Sequence, residues 1–287
     1  MAVLLALISS VLWGVGDFVG GLASRRSTAL QVLMITTPVG LLMILPAALI
    51  IGGDARGSAL PGLAAGVFGS VGILLLYAAL TIGPMGVLSP VSAVLGAAIP
   101  VVVGLVAGER PGPAAYGGMV LAAVAIVTVG LEPQAPTDDA RHQRVTRRAL
   151  VLAMGAGLGI GMFFALVSFA PDDAGVWPIV WSRGMSTVVI GAIAITAYLR
   201  RGEPLIPGTA PVLWLAVLAG ALDVAANAFY VLALPLGLLS IVAVLGSLYP
   251  AATVLLARFV LAERLRPLQK VGMATALLAS ALLALGG

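Results

Sequence analysis

The 287-residue chain is 61% hydrophobic and only 9% charged, with a mean hydropathy of +1.16, which is far outside the range of water-soluble domains. It has no cysteine and one histidine, His142, so disulfides, thiolate nucleophiles, histidine-dependent triads and multi-histidine metal sites are excluded within one chain. The net charge of +4 comes from arginines scattered between apolar stretches, which indicates membrane orientation and not a nucleic-acid surface.

Ten continuous apolar runs follow one another along the chain, each close to the roughly 20 residues that a helix needs to cross about 30 Å of hydrocarbon. The runs do not alternate polar and apolar residues, so helices are predicted and the strands of a membrane barrel are excluded. The predicted spans cover residues 3–22, 28–51, 59–81, 84–107, 112–131, 149–169, 175–199, 210–233, 237–259 and 267–286. The sequence therefore predicts an all-α integral membrane protein with ten transmembrane helices.

The first span contains a carboxylate, Asp17, within the stretch WGVGDFVGG. Asp17 either reaches water near the end of its helix, pairs with Arg258, or takes part in the chemistry of a cavity, and the sequence leaves these alternatives open. The glycines around it permit a close approach of a second helix in each case. Trp13 precedes Asp17 by one turn on the same side, where it would form a cavity wall.

The polar segment EPQAPTDDARHQRVTRR separates the fifth span from the sixth. It is predicted to be a solvated linker, residues 132–148, whose arginines hold the orientation of the neighbouring spans. The linker divides the chain into two parts of five spans each, residues 1–131 and 149–287.

The seventh and eighth spans carry Arg183 and Asp223 in otherwise apolar surroundings. Consecutive helices run antiparallel, so at about 1.5 Å per residue both side chains lie roughly 12–15 Å from the same membrane surface. We predict an Arg183–Asp223 ion pair, which either only locks the two helices together or borders a cavity where Arg183 attracts an anion or Asp223 takes up a proton. Asn227 lies on the same helix face as Asp223, and this face is predicted to line the cavity.

The two halves of the chain repeat each other. ERPGPAAYGGM begins at Glu109 and ERLRPLQKVGM begins at Glu263, and both read E-R-x-x-P-x-x-x-x-G-M. Earlier in each half, Gly14-x-Gly16-x-Phe18 matches Gly159-x-Gly161-x-Phe163, and Tyr77 matches Tyr230. A repeat with an odd number of spans must insert its second copy upside down, which predicts two inverted five-helix repeats.

Two parts of this repeat need separate interpretation. Glu109 and Glu263 each precede an arginine and a nearby proline at a span end, so they are predicted to be end caps or interface anchors and not catalytic groups. The similar stretches that end in Pro100 and Pro250 are offset by about one helical turn relative to the glutamates. Equivalent depths for Pro100 and Pro250 are therefore not expected.

The Trp13-Gly14 start, the paired Glu-Arg blocks and WSRGM at Trp181 together resemble the EamA-like branch of the drug/metabolite transporter superfamily, over essentially the whole chain. The resemblance implies a ten-helix inner-membrane carrier of small metabolites such as amino acids, often an exporter. It also implies that the first, third, fourth, sixth, eighth and ninth helices surround the substrate path. Polar candidates, mostly in those helices, are Ser9, Ser10, Ser70, Tyr77, Ser89, Ser92, Tyr230, Ser240, Ser247 and Tyr249. Each serine has the alternative role of bonding to helix backbone.

The basic residues are distributed unequally between the two sides of the predicted membrane. One side has only Arg56 and Arg110, and the other has Arg25, Arg26, Arg141, Arg144, Arg147, Arg148, Arg200, Arg201, Arg264, Arg266 and Lys270. The positive-inside rule places the richer side in the cytoplasm of a multi-pass cell-membrane protein, with both termini outside.

These features favour a secondary transporter over other classes. GVGDFVGG and GAGLGIG lack the lysine of a phosphate loop and lie inside spans, so ATP-driven pumping is not expected, nor is a cofactor, a resident metal or an enzyme activity. The leading hypothesis is export of a small polar metabolite, such as an amino acid or related compound, by alternating access around a midplane cavity. Its partners would be that substrate, the lipid bilayer and a proton or exchanged metabolite. A lipid or amphiphile flippase, or a channel of the same fold, is the alternative.

Overall fold

A computed structural model describes residues 1–83, 85–130, 146–202, 204–260 and 267–286. These ranges contain helices and no strand. The helices are α1 (Ala2–Arg25), α2 (Ala29–Ile51), α3 (Ala59–Ile82), α4 (Met85–Val106), α5 (Pro113–Gly130), α6 (Arg147–Val167), α7 (Trp177–Arg201), α8 (Ala210–Ala233), α9 (Leu239–Gly246), α10 (Tyr249–Val260) and α11 (Pro267–Leu285). Most of the predicted linker, residues 132–145, lies outside the described residues. Its last three residues belong to the start of α6, where the Thr146 hydroxyl caps the helix by accepting from the Ala149 N–H. His142, Glu263 and the side chain of Arg258 also lie outside the description.

Seven helices within the described ranges are long and apolar enough to cross a membrane: α1 to α4 and α6 to α8. The apolar parts of α5, of the α9–α10 region and of α11 are shorter. The helix is interrupted within the predicted ninth span, where α9 ends at Gly246 and α10 begins at Tyr249. Pro250 has no N–H for the Gly246 carbonyl four residues earlier, so one helical hydrogen bond is missing at this point.

Helix packing is nearly unchanged when the two halves are exchanged. In the repeat, α1 corresponds to α6, α2 to α7 and α3 to α8. The contact of α1 with α8 is matched by that of α6 with α3, and the contact of α2 with α8 is matched by that of α7 with α3. α4 packs on α6, and the corresponding pair α9 and α10 packs on α1. α2 meets α7, and α5 meets α11. The two halves therefore share one extensive interface along their length.

Glycines allow the closest crossings at this interface. A Cβ added at Gly159 of α6 would lie 2.8 Å from the Gly72 Cα of α3. One added at Gly220 of α8 would lie 2.7 Å from the Thr36 carbonyl oxygen of α2. Since real Cβ atoms do not approach so closely, any larger residue would push these helices apart and widen the space between the halves.

The packing register of the repeat differs by two residues from the sequence match at the glycine motif. Gly14 faces α10 and Gly16 faces α8, whereas Gly159 faces α3 and Gly161 faces α4. Because α3 corresponds to α8 in the exchanged packing, Gly159 occupies the position of Gly16. Gly157, which faces α4, then corresponds to Gly14.

Candidate functional site

A cavity lies between the halves, with walls formed by α1, α2, α3, α6, α7, α8 and the start of α10. Seven of the predicted side chains line it: Trp13, Asp17, Tyr77, Arg183, Asp223, Asn227 and Tyr249. Ser89, Tyr230 and Ser247 are not among the lining residues and are buried in the helix packing. The described residues hold no group of three or more His, Cys, Asp or Glu side chains that could bind a metal ion.

The predicted ion pair is present at the cavity wall. Arg183 lies in the second turn of α7 and its Nη2 is 2.5 Å from the Asp223 Oδ2 of α8. Both side chains are largely enclosed, with 11% of Arg183 and 24% of Asp223 exposed. Asn227 Nδ2 donates to the Asp223 carbonyl oxygen at 2.7 Å and to Asp223 Oδ1 at 3.2 Å. The carboxylate is thus held by a guanidinium on one side and an amide on the other.

The α2 helix supports the arginine from behind. A Cβ added at Gly40 would lie 3.2 Å from the Arg183 Cδ, so the absence of a side chain at Gly40 makes room for the arginine stem. Arg183 Nε is buried and has no hydrogen-bond partner among the described residues. The ion pair with Asp223 and the packing around the side chain therefore fix the orientation of the guanidinium, and the Nε–H donor makes no hydrogen bond to the described residues.

Asp17 occupies a different position in the same cavity. It lies about two turns before the end of α1 and is partly exposed to the cavity. Its electrostatic neighbours are Asp223 from α8, Tyr77 from α3 and Tyr249 from α10. No ion pair or hydrogen bond joins its carboxylate to any other described residue. The alternative of a pair with Arg258 concerns a side chain outside the description.

An aromatic cluster joins the first half to the second. The Trp13 ring lies 5.1 Å from that of Phe164 and 5.5 Å from that of Tyr230, and the last two rings are 4.7 Å apart. Phe163 extends the cluster along α6, 5.6 Å from Phe164. Trp13, Phe163 and Phe164 also line the cavity, so one part of its wall is aromatic.

The polar candidates divide into two groups. Ser9, Ser70 and Ser92 donate to backbone carbonyls, which is the structural alternative considered from the sequence. A second group is buried: Tyr230, Ser240 and Ser247 have no hydrogen-bond partner in the described part of the chain, and the Ser89 and Tyr249 hydroxyls interact with each other. These hydroxyls cluster around α9 and the start of α10, where the regular helix is interrupted.

Glu109 has the predicted capping role. Its Oε1 accepts from the Leu239 N–H at 2.5 Å and its Oε2 accepts from the Ser240 N–H at 3.0 Å. These are backbone donors at the start of α9 that have no partner within that helix. Glu109 therefore connects the segment between α4 and α5 to a helix of the other half.

Some cavity residues were missed by sequence reasoning. The helices implied to surround the path omit the second and seventh, yet α2 contributes Leu33, Thr36 and Thr37, and α7 contributes Ser186 beside Arg183. The adjacent threonines in an apolar span were the available signal, since such a pair is unusual in a purely lipid-facing helix. Among the described residues, the implied ninth helix contributes Tyr249 to the lining and the implied fourth helix contributes none.

Comparison with known proteins agrees with the arrangement described above. No curated protein matches the chain. A solved structure titled "Crystal structure of protein" is similar to it, with 18% identity, a TM-score of 0.71 and coverage of 99% of this chain and 96% of that chain, which supports the fold alone. The model of the family described as "EamA-like transporter family" matches residues 1–131 and again residues 147–285. Because the two matches together span almost the whole chain, the protein belongs to the EamA-like transporter family.

Proposed function

We propose that the protein is a secondary transporter that exports a small polar metabolite, such as an amino acid or related compound, by alternating access around the cavity. The observation that carries this proposal is the Arg183–Asp223 pair at the wall of a cavity between two halves that each match a transporter family. Charged side chains inside a membrane are costly and mark substrate or ion pathways when they border a cavity. Arg183, Asp223, Asn227, Asp17 and the aromatic residues would contact the substrate.

The proposal includes ten membrane crossings arranged as two inverted repeats. The separate family matches of the two halves support the duplication, and the exchange symmetry of the helix packing supports a two-fold relation between them. With five spans in each half, the second half would cross the membrane in the opposite sense. The charge distribution would place both termini outside a cell membrane.

Energy would come from a gradient and not from ATP. The glycine-rich stretches of α1 and α6 pack against other helices through Gly14, Gly16, Gly157 and Gly159, which gives them a structural purpose unrelated to phosphate binding. Coupling to a proton or to an exchanged metabolite would then drive export.

The proposal is tested by comparing metabolites inside and outside cells that express the wild type, Asp223→Asn or Asp172→Asn. Asp172 is exposed in the loop before α7, so its variant controls for the loss of a carboxylate elsewhere. We expect a small polar metabolite to accumulate outside with the wild type and with Asp172→Asn, but not with Asp223→Asn.

Purified protein in liposomes then separates the transport classes. A carrier gives saturable uptake of that metabolite that is accelerated by unlabelled metabolite inside the vesicle. Flux without saturation would identify a channel, and movement of labelled lipids between leaflets would identify a flippase. Either of these results would overturn the proposed mechanism.

A further inference from the structure

The described lining of the cavity has an unequal number of positive and negative groups. It carries two carboxylates, Asp17 and Asp223, and one guanidinium, Arg183. Arg183 and Asp223 neutralise each other at 2.5 Å. Asp17 has no charge partner among the described residues, so within these residues its carboxylate is available to a ligand.

The groups around Asp17 suit a cation. Trp13 lies one turn before it on α1, and Tyr77 of α3 and Tyr249 of α10 line the same cavity and are electrostatic neighbours of Asp17. The faces of aromatic rings attract cations, and the attraction is larger in a site removed from bulk water. The Tyr249 hydroxyl interacts with the Ser89 hydroxyl and keeps a lone pair for an N–H donor.

The groups around Arg183 do not suit a second anion. Asp223 occupies one edge of the guanidinium, Asn227 holds that carboxylate in place, and Gly40 packs against the arginine stem. A substrate carboxylate would have to displace Asp223 or lie near two acidic side chains. The cost of unpairing a buried carboxylate opposes this exchange.

We propose that Asp17 binds the protonated amino group of the substrate, and that the cavity selects organic amines that lack a carboxylate over amino acids. This inference rests on the proposed function, because it assigns a substrate class to the same cavity. It narrows the broader class of small polar metabolites to monovalent organic cations with an apolar or aromatic body. The body would contact Phe163 and Phe164 while the ammonium group lies between Asp17 and the tyrosines.

Three ligands that share one phenyl ring test the proposal: phenethylamine, phenylalanine and 3-phenylpropanoate. Isothermal titration of the purified full chain in detergent at pH 7 measures binding without any transport step. We expect phenethylamine to bind at least about tenfold more tightly than phenylalanine, and 3-phenylpropanoate to bind most weakly. If the wild-type protein binds phenylalanine as tightly as phenethylamine or more tightly, or does not bind phenethylamine, the inference is overturned without any variant.

Variants then locate the site. Asp17→Asn should weaken phenethylamine binding by at least about tenfold, because one charge-assisted contact is lost. Asp17→Glu keeps the charge and should restore most of the affinity, and Asp172→Asn should leave it unchanged. Unchanged affinity in Asp17→Asn would move the amine site away from Asp17. Export of an amino acid in the cell experiment together with absent amine binding would refute this inference while leaving the proposed transport function intact.

Discussion

Asp223→Asn is the substitution that separates a structural role of the ion pair from a functional one. It keeps the size of the side chain and an acceptor for Asn227 but removes the negative charge. The Arg183 guanidinium, only 11% exposed and 2.5 Å from Asp223 in the wild type, is then left without its counter-ion.

The expected cost follows from the burial of the pair. Removing one partner of a buried ion pair costs about 3–5 kcal/mol, and the 24% exposure of Asp223 places this pair at the lower end of that range. A loss of about 3 kcal/mol lowers the Tm by about 6–12 °C, at about 2–4 °C per kcal/mol for a chain of this size. The extensive packing between the halves, which the variant does not touch, should preserve folding and expression.

Thermal unfolding in detergent and transport in liposomes should be measured for Asp223→Asn, Arg183→Gln and the double variant. The double variant removes both charges, so it should recover most of the lost stability, as expected for two coupled sites. Transport should stay abolished in all three. Recovery of transport together with stability in the double variant would show that the pair is only a clamp. Wild-type transport by Asp223→Asn would remove Asp223 from the mechanism.

Three further predictions concern the packing that surrounds the cavity. Gly159→Ala should lower the free energy of unfolding by about 1–3 kcal/mol, because the added methyl group overpacks the crossing. Gly117 faces open space, so Gly117→Ala should raise it by up to about 1 kcal/mol through helix propensity. Equal shifts in Tm for the two variants would contradict the close crossing at Gly159. Glu109→Ala removes a helix cap, so it should lower the free energy of unfolding by about 0.5–2 kcal/mol and speed amide hydrogen exchange at the start of α9. Glu109→Gln should give a smaller change. Unaltered exchange in Glu109→Ala would exclude the capping role. Tyr230→Phe should leave stability unchanged or raise it, since the buried hydroxyl has no partner in the described part of the chain; a clear fall in Tm would reveal a partner.

The ion pair is predictable from sequence because few solutions exist for charges in apolar helices. Arg183 and Asp223 lie in consecutive antiparallel spans, so counting residues from one membrane surface brings them to similar depths. The cost of leaving either charge alone makes the pairing the favoured outcome. Long apolar helices are predictable for a related reason, since a bilayer requires backbone hydrogen bonds to be made within each span.

The interruption between α9 and α10 is not predictable from Pro250 alone. Pro38 and Pro46 lie inside the continuous helix α2, and α4 also contains two prolines. What distinguishes the region of Pro250 is its tertiary contact, because the α1 backbone at Gly14 packs against the Tyr249 carbonyl oxygen. Such a contact depends on residues more than two hundred positions apart and leaves no local signal.

The cavity-facing side of α2 is equally hard to identify from its sequence. The helix is apolar around nearly its whole circumference, so hydrophobic periodicity does not show which side faces lipid and which faces protein. Thr36 and Thr37 face inward only because α2 packs against both α7 and α8. That packing is a property of the assembled halves.

The contact of Trp13 with Phe164 and Tyr230 gives the protein an intrinsic fluorescent reporter. Phe164 and Tyr230 belong to the second half and would move together, whereas Trp13 belongs to the first half and contacts both rings. Any rocking of one half against the other would therefore change the polarity around a single indole. With the other three tryptophans replaced by phenylalanine, the emission of Trp13 would follow the conformational cycle in real time without an attached dye.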